Sequence, residues 1–528
     1  MRISPRLRCA SAVLSVFFLL SIASSLQAQG PKGGDTTRRA FDEVSVDAPL
    51  TPGPSGVGGK VAAPLRVQAE ASGSLGATVG GAQDIGYARL LIERGSVPSS
   101  LGFSAEGLYS EHDIATPSSA CDEPLCLSLG YGYAPMADNS SHALLVQLGM
   151  GSNIRADQFR RRPLRLAVVV DRSGSMSGSK IQAARVALEK LISRLNAEDR
   201  VTIIYFNEGA ETVVEMGGGD RRQEMLARVG TLTASGGTNI EKGLVMGYNA
   251  IASLPDEPGT LKRLILMTDM RPNVGRTDSM SFRQITERYA NKGIGLSAFG
   301  MGIDFGYELV YHISGLRGGN FFYLENAEKI ARVFDTEFDY MVTPLLFDLD
   351  LKIETPKGMR LAAVYGLPTW KPGDRDANLH IPTVFLSSNR GAIILRYEPR
   401  EGNGLVIDDG DLLAVGSLAY TDLDGREHAQ STRLRHTGVD RLAPGSQYYT
   451  HDGMRLAAAL TNVYFGLRDA CELSAEGKRE QAVEALTRAR GLVTLENLAL
   501  NDKGLEREIA LLEKLEQNIS SDRSLGSR

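Results

Sequence analysis

The sequence has little cysteine and little histidine. Four cysteines in 528 residues cannot supply the main framework of a chain this long, so hydrophobic cores must hold it together. The seven histidines include no His-x-x-x-His pair and no Cys/His cluster at zinc spacing, which argues against a zinc hydrolase. No apolar run reaches the roughly 20 residues that a membrane-spanning helix needs, so a polytopic membrane protein is excluded. Neither sign of charge dominates: 58 basic and 63 acidic side chains leave a net charge of -5. That balance gives no electrostatic footprint for nucleic acid or for an anionic membrane surface. Apolar residues at 42% and charged residues at 23% are ordinary globular usage and exclude wholesale disorder. At roughly 150 residues per domain, the length implies about three or four domains.

Residues 1–28 read as a secretory signal peptide. Arg2, Arg6 and Arg8 precede an apolar run from Ala10 to Ala23, and Leu26-Gln27-Ala28 offers a small residue at the cleavage point. Removal of the three arginines moves the net charge to -8. Cys9 lies upstream of the cleavage point, which argues against a lipid anchor there. The expected product is an exported chain, periplasmic or secreted to the cell surface, with no transmembrane span. In an oxidising compartment Cys121 and Cys126 are candidates for a local disulfide across a polar loop. Cys471 sits on an apolar helical pattern and reads as a buried thiol.

Six segments follow from the pattern of composition. After the signal, 29–65 is a Gly/Pro-rich linker centred on Thr51-Pro-Gly-Pro-Ser-Gly-Val-Gly-Gly59. Residues 66–163 read as a β-rich N-terminal region, with short apolar runs such as Ala143-Leu-Leu-Val-Gln-Leu148. Residues 164–345 alternate apolar strands with amphipathic helices, beginning with Leu164-Arg-Leu-Ala-Val-Val-Val170. The helix after it places Ile181, Ala184, Leu188, Leu191 and Leu195 on one face. Such alternation predicts a doubly wound α/β domain, a parallel sheet covered on both faces. Residues 346–445 read as a flanking β-sandwich with a two-residue hairpin turn at Asp424-Gly425, and 452–519 as a helical C-terminal region.

The chemistry concentrates at the end of the first α/β strand. Asp171-x-Ser173-x-Ser175 stands at its carboxyl edge, where open sheets of this class place ligand sites. Loops at that edge can add Thr238, from Gly236-Gly-Thr238-Asn, and Asp269, which ends Leu264-Ile-Leu-Met-Thr-Asp269. Three hydroxyls and two carboxylates form a hard, oxygen-only donor set suited to Mg²⁺ or Mn²⁺, with Ca²⁺ as an alternative. A coordination position left to water could be completed by an Asp or Glu carboxylate from a protein partner. A plainer reading of the first motif is that Asp171 and the serines cap the following helix.

Strand-Asp171-Arg-Ser-Gly-Ser-Met176, Ser235-Gly-Gly-Thr238-Asn239 and Leu266-Met-Thr-Asp269 resemble the three parts of the metal-ion-dependent adhesion site of von Willebrand factor type A (VWA) domains. The resemblance implies a Rossmann-like domain with Asp171, Ser173, Ser175, Thr238 and Asp269 as direct or water-mediated metal ligands. More loosely, the flanking regions resemble bacterial exported proteins of this class and the inter-alpha-trypsin inhibitor heavy chains, in which strands before and after the A domain pack as one sandwich. Family members usually carry Gly after the third-loop aspartate; this chain has Met270, while Asn273 stands where an Asn is common. No acidic pair follows Ser175, so the extra calcium site of some integrin A-type domains is not expected.

The expected function is a non-enzymatic protein-binding or adhesion module, with no catalytic residues, that uses a divalent cation to capture a partner carboxylate. One alternative is a structural envelope protein whose metal site is vestigial, a reading that Met270 favours. Another is a serine hydrolase built on Ser177-x-x-Lys180, with His436-Thr-Gly438 as a further partial motif. Asp408-Asp-Gly-Asp411 lacks the spacing of a calcium loop and reads as a polar turn.

Overall fold

A computed structural model describes residues 74–79, 82–83 and 85–521, apart from 118–121, 139–141, 270, 302–316, 325–328, 331–332, 367–374, 388–389, 401–405 and 444. The expected signal peptide and linker, Cys9, Cys121 and Met270 lie outside the described residues.

The α/β segment is built on β1 (Leu164–Asp171), β2 (Arg200–Phe206), β3 (Ala210–Gly217), β4 (Leu261–Thr268), β5 (Ile294–Met301) and β6 (Gly319–Leu324). With the short strand Ala82–Gln83 beside β6, the sheet order is 82–83, β6, β5, β4, β1, β2, β3. All pairs are parallel except β2 with β3. The helices are α1 (Ser179–Arg194), α2 (Arg222–Gly230), α3 (Ile240–Ala252) and α4 (Ser279–Ala290). Strand β1 is almost wholly apolar because both its faces are covered. Leu164, Leu166, Val168 and Val170 join the core that includes Leu188 and Leu191 of α1. Ala167 and Val169 face the opposite core, with Leu244 and Tyr248 of α3. Helix α3 lies close on the sheet because Gly247 has no side chain: a Cβ there would stand 2.4 Å from Val169 Cγ2.

Strand β1 lies inside the order, with β2 and β3 on one side and β4, β5, β6 and 82–83 on the other, and the chain winds outward from it in both directions. The switch point, where crossovers diverge and leave a crevice, therefore falls at the carboxyl ends of β1 and β4. At the other end of β1, Asp199 accepts from the Leu164 amide at 2.8 Å and pairs with Arg161 at 2.6 Å, both side chains almost fully buried. Arg161 also reaches Asp339 at 2.9 Å, fixing the chain's entry into the sheet.

The strands before and after this segment share one sheet. Cys126–Ala134 and Ala143–Arg155 share one antiparallel sheet with Pro344–Glu354, Met359–Tyr365, Ala377–Ser387, Ala392–Pro399, Leu412–Asp422 and Glu427–Arg435. Ser74–Val79 is inserted between Ala143–Arg155 and Ala377–Ser387. The hydrogen bonding is continuous rather than divided between two separate sandwich layers, and the sheet curls around one core shared by Tyr131, Val146, Leu351, Leu395 and Leu418. Where it nearly closes, Gln430 Nε2 donates to Leu125 O at 2.6 Å. At 424–425 the turn takes three residues instead of two: Gly425 N donates to Asp422 O, Asp422 N to Arg426 O, and Gly425 has φ +80°. This is the type I turn followed by a left-handed glycine.

Within 66–163, besides the strands Ser74–Val79, Ala82–Gln83, Cys126–Ala134 and Ala143–Arg155, helices occupy Ile85–Glu93 and Ala105–Ser110. They pack against the C-terminal helices α5 (Asp452–Ala475), α6 (Arg479–Leu500) and α7 (Lys503–Ser521) in one core. Fully buried Glu508 of α7 pairs with Arg89 at 2.6 Å and with His112 at 3.0 Å. Cys126 is disulfide-bonded, and Cys471 is free and buried on α5.

Candidate metal centre

The five predicted ligands all lie at the carboxyl edge of the parallel sheet. Asp171 is the last residue of β1, Ser173 and Ser175 occupy the turn after it, Thr238 precedes α3, and Asp269 follows β4. Asp171 is fully buried. Its Oδ1 accepts from the Ser173 amide at 2.8 Å and its Oδ2 from the Thr268 hydroxyl at 2.6 Å. Burial pushes the Asp171 carboxyl up to about 6; the hydrogen bonds from Thr268 and Ser173 oppose that rise, and the charge of Asp269 adds to it.

The serines are not helix caps. Ser173 precedes a single 3-10 turn, Gly174–Met176, to which its side chain makes no capping bond, and Gly178, which precedes α1, provides no side-chain cap. Instead Ser173 Oγ and Ser175 Oγ lie 3.1 Å apart in a hydrogen bond. Ser173 is buried while Ser175 is exposed, so the pair runs from the interior to the surface.

Backbone hydrogen bonds bring the second loop to the first. Ser235 N donates to Arg172 O at 2.7 Å, and Gly174 N donates to Gly236 O at 2.8 Å. Gly236 has φ +79°, a conformation that glycine adopts without strain. Thr238 is then fixed by the third loop: its amide donates to Asn273 Oδ1 at 2.8 Å, and its carbonyl accepts from Asn273 N at 3.0 Å. These contacts leave the Thr238 hydroxyl oxygen buried without a protein hydrogen-bond partner among the described residues. Asp269 is similar. It is fully buried, its Oδ2 accepts from Lys180 Nζ at 2.8 Å, and its Oδ1 is without a hydrogen-bond partner among the described residues.

Buried oxygens without partners are costly, and two of them on loops at the same sheet edge as Asp171, Ser173 and Ser175 fit a hard cation. Among the described residues no three His, Cys, Asp or Glu side chains gather as a metal cage.

Sequence reasoning missed several supports. Thr268 was legible in principle, as a hydroxyl residue closing an otherwise apolar buried strand. Asn207 and Glu208 follow β2 and carried no such signal; Asn207 O accepts from Asn239 N at 2.7 Å, and Glu208 Oε1 from Gly237 N at 3.1 Å. Lys180 belongs with Asp269 rather than with Ser177, whose hydroxyl donates to Gly174 O at 2.6 Å. His436 is buried in the other sheet's surroundings, 2.6 Å from the Tyr131 hydroxyl. The residues of the hydrolase alternative are thus committed to other partners.

A family profile for the von Willebrand factor type A domain matches residues 166–336. The uncharacterized protein YfbK of Escherichia coli is 25% identical over 248 residues, covering 46% of this chain and 43% of that protein. Inter-alpha-trypsin inhibitor heavy chain H4 of Bos taurus is 28% identical over 170 residues, covering 31% of this chain and 19% of that one. The matched stretches thus span less than half of either relative. A solved structure described as von Willebrand factor type A from Catenulispora acidiphila aligns over 76% of this chain and 97% of its own, with 16% identity and a TM-score of 0.47. Domains of this type commonly serve adhesion or protein interaction, are generally non-enzymatic and typically hold a divalent metal. Among the described residues no helix is long and apolar enough to cross a membrane. The chain carries a von Willebrand factor type A domain over residues 166–336, set within a longer multidomain architecture.

Proposed function

We propose that this protein is an exported, non-enzymatic binding module that captures a protein partner through a divalent cation held by Asp171, Ser173, Ser175, Thr238 and Asp269. The observation that carries this reading is the pair of buried oxygens, Thr238 Oγ1 and Asp269 Oδ1, that have no hydrogen-bond partner among the described residues, on loops at the same sheet edge as Asp171, Ser173 and Ser175. Oxygen-only donors favour Mg²⁺ or Mn²⁺, with Ca²⁺ as the alternative. When bound, the cation would supply a coordination position for an Asp or Glu carboxylate of the partner. The chain's own part is positional. Thr268 and the Ser173 amide hold Asp171, Asn273 holds Thr238, and exposed Ser175 lies at the mouth of the cluster. Residues 1–28 support export to the periplasm or cell surface.

The test is calorimetric titration of Mg²⁺ and Mn²⁺ into EDTA-stripped protein, with Asp171→Ala as control. One saturable site, lost in the variant, is the expected result; no binding to the parent protein would overturn it. The Lys180 ion pair on Asp269 favours a second reading, a structural envelope protein whose vestigial site is closed by its own lysine. Partner capture that is equal in EDTA and in Mg²⁺ would favour that reading.

A further inference from the structure

The amino end of α1 carries an unexpected charge. Cations are favoured at helix C-termini and disfavoured at N-termini, where backbone N–H groups already present positive charge. Yet the first turn of α1 has no acidic residue and contains Lys180, and the preceding Gly178 provides no side-chain cap. Local helix energetics therefore do not account for this lysine. Its tertiary contact does: Lys180 Nζ lies 2.8 Å from Asp269 Oδ2, with the carboxylate fully buried and the lysine side chain 14% exposed. No other described cation forms an ion pair with either Asp171 or Asp269.

We infer that Lys180 is the specificity-determining counter-cation of this centre, weakening its hold on a bare divalent ion and strengthening its hold on a carboxylate once the ion is present. The inference rests on the metal-dependent reading above. Two ionised carboxylates would cancel a divalent cation. With Lys180 in contact with Asp269, the same assembly retains one net positive charge, which attracts an anionic ligand. The lysine and the metal compete for the electron density of Asp269, so metal affinity is lower than the donor set alone would give. Metal and carboxylate then bind with positive linkage, each relieving the charge that the other leaves uncompensated.

The test uses the full chain with Lys180→Met, which keeps length and loses charge, and Lys180→Arg, which keeps charge. Free Mn²⁺ is followed by electron paramagnetic resonance during titration, first without and then with acetate. Lys180→Met should bind Mn²⁺ roughly tenfold more tightly than the parent, the discounted effect of one partly exposed charge at contact distance. Acetate should tighten Mn²⁺ binding in the parent and in Lys180→Arg, and do so markedly less in Lys180→Met. In EDTA, Lys180→Met should melt at a lower temperature than the parent because buried Asp269 has lost its partner, and Mn²⁺ should restore it. Parent and Lys180→Met binding Mn²⁺ equally, with equal response to acetate, would overturn the role of Lys180 while leaving the metal site standing. No Mn²⁺ binding by either would overturn the metal reading and this inference together.

Discussion

The hydroxyl of Thr268 donates to Oδ2 of Asp171 across 2.6 Å, joining the carboxyl ends of two neighbouring parallel strands whose residues are 97 positions apart in sequence. The bond fixes which way the Asp171 carboxylate turns and leaves Oδ1 to the Ser173 amide. Thr268→Val keeps the shape of the strand end and removes the donor. It should cost about 1–3 kcal/mol in urea unfolding, because a buried carboxylate oxygen is left unsatisfied. Thr268→Ser should recover most of that loss, and Mn²⁺ affinity should follow the same order.

The raised Asp171 carboxyl makes the metal-free protein sensitive to pH in a defined direction. Burial lifts the folded value to about 6 from an ordinary 3.8, so between those values the folded state binds the extra proton. This group's contribution to stability is therefore fully present below the ordinary value and is lost as pH rises through about 6. In EDTA, Asp171→Asn should be more stable than the parent at pH 7, by on the order of 2 kcal/mol. The gap should close as pH falls toward 4. Divalent-cation binding needs the ionised form, so its affinity should fall with acidification over the same interval. Thermal melts of both proteins from pH 4 to 8, with and without Mg²⁺, measure these effects.

At the opposite end of β1, Asp199 is fully buried and holds Arg161 together with the Leu164 and Asn196 amides. Removing one partner strands the other charge in the interior. Asp199→Ala should destabilise the protein by about 3–5 kcal/mol. Urea unfolding checks the size. Because the cluster lies at the far edge of the sheet, Mn²⁺ binding by the folded fraction should remain near that of the parent.

Glu508 links the last helix to the first described helices. Burial raises its carboxyl, but the His112 hydrogen bond and the Arg89 charge outweigh burial and hold it below the ordinary range. A lowered carboxyl contributes stability that is present above the unfolded value and lost as pH falls through the folded one. Glu508→Ala should therefore lower the melting temperature at pH 7 and flatten the parent's loss of stability on acidification. Hydrogen exchange in 85–112 and 503–521 should rise together in the variant, since Arg89 and His112 lose their common partner.

The A domain was legible because its signals are local. Apolar runs of strand length, covered on both faces, and a helical stripe from Ile181 to Leu195 predict alternating strands and helices, and the first strand ends one residue beyond the apolar run Leu164–Val170. The antiparallel strand Ala210–Gly217 and the helix Arg222–Gly230 were not expected, because their half-exposed patterns bury few residues. The segment bounds follow sequence order and so divide the flanking regions, while only the resemblance to the inter-alpha-trypsin inhibitor heavy chains implies that strands before and after the A domain pack together. Their hydrogen bonding joins Cys126–Ala134 and Ala143–Arg155 to strands that lie beyond the α/β segment.

The sequence by itself determined the chemistry available at this edge of the sheet: hydroxyls and carboxylates, on motifs whose positions relative to strands are set by hydrophobic periodicity. It could not determine which oxygens find protein partners. Thr238 and Asn273, Thr268 and Asp171, and Lys180 and Asp269 meet only because parallel strands place loops distant in sequence side by side. Hydrogen bonds and ion pairs depend on distance in space, and no local pattern encodes the distance between two loops. The tertiary structure therefore decided that Thr238 Oγ1 and Asp269 Oδ1 find no partner among the described residues, and that a lysine at the wrong end of its helix is held by a buried carboxylate.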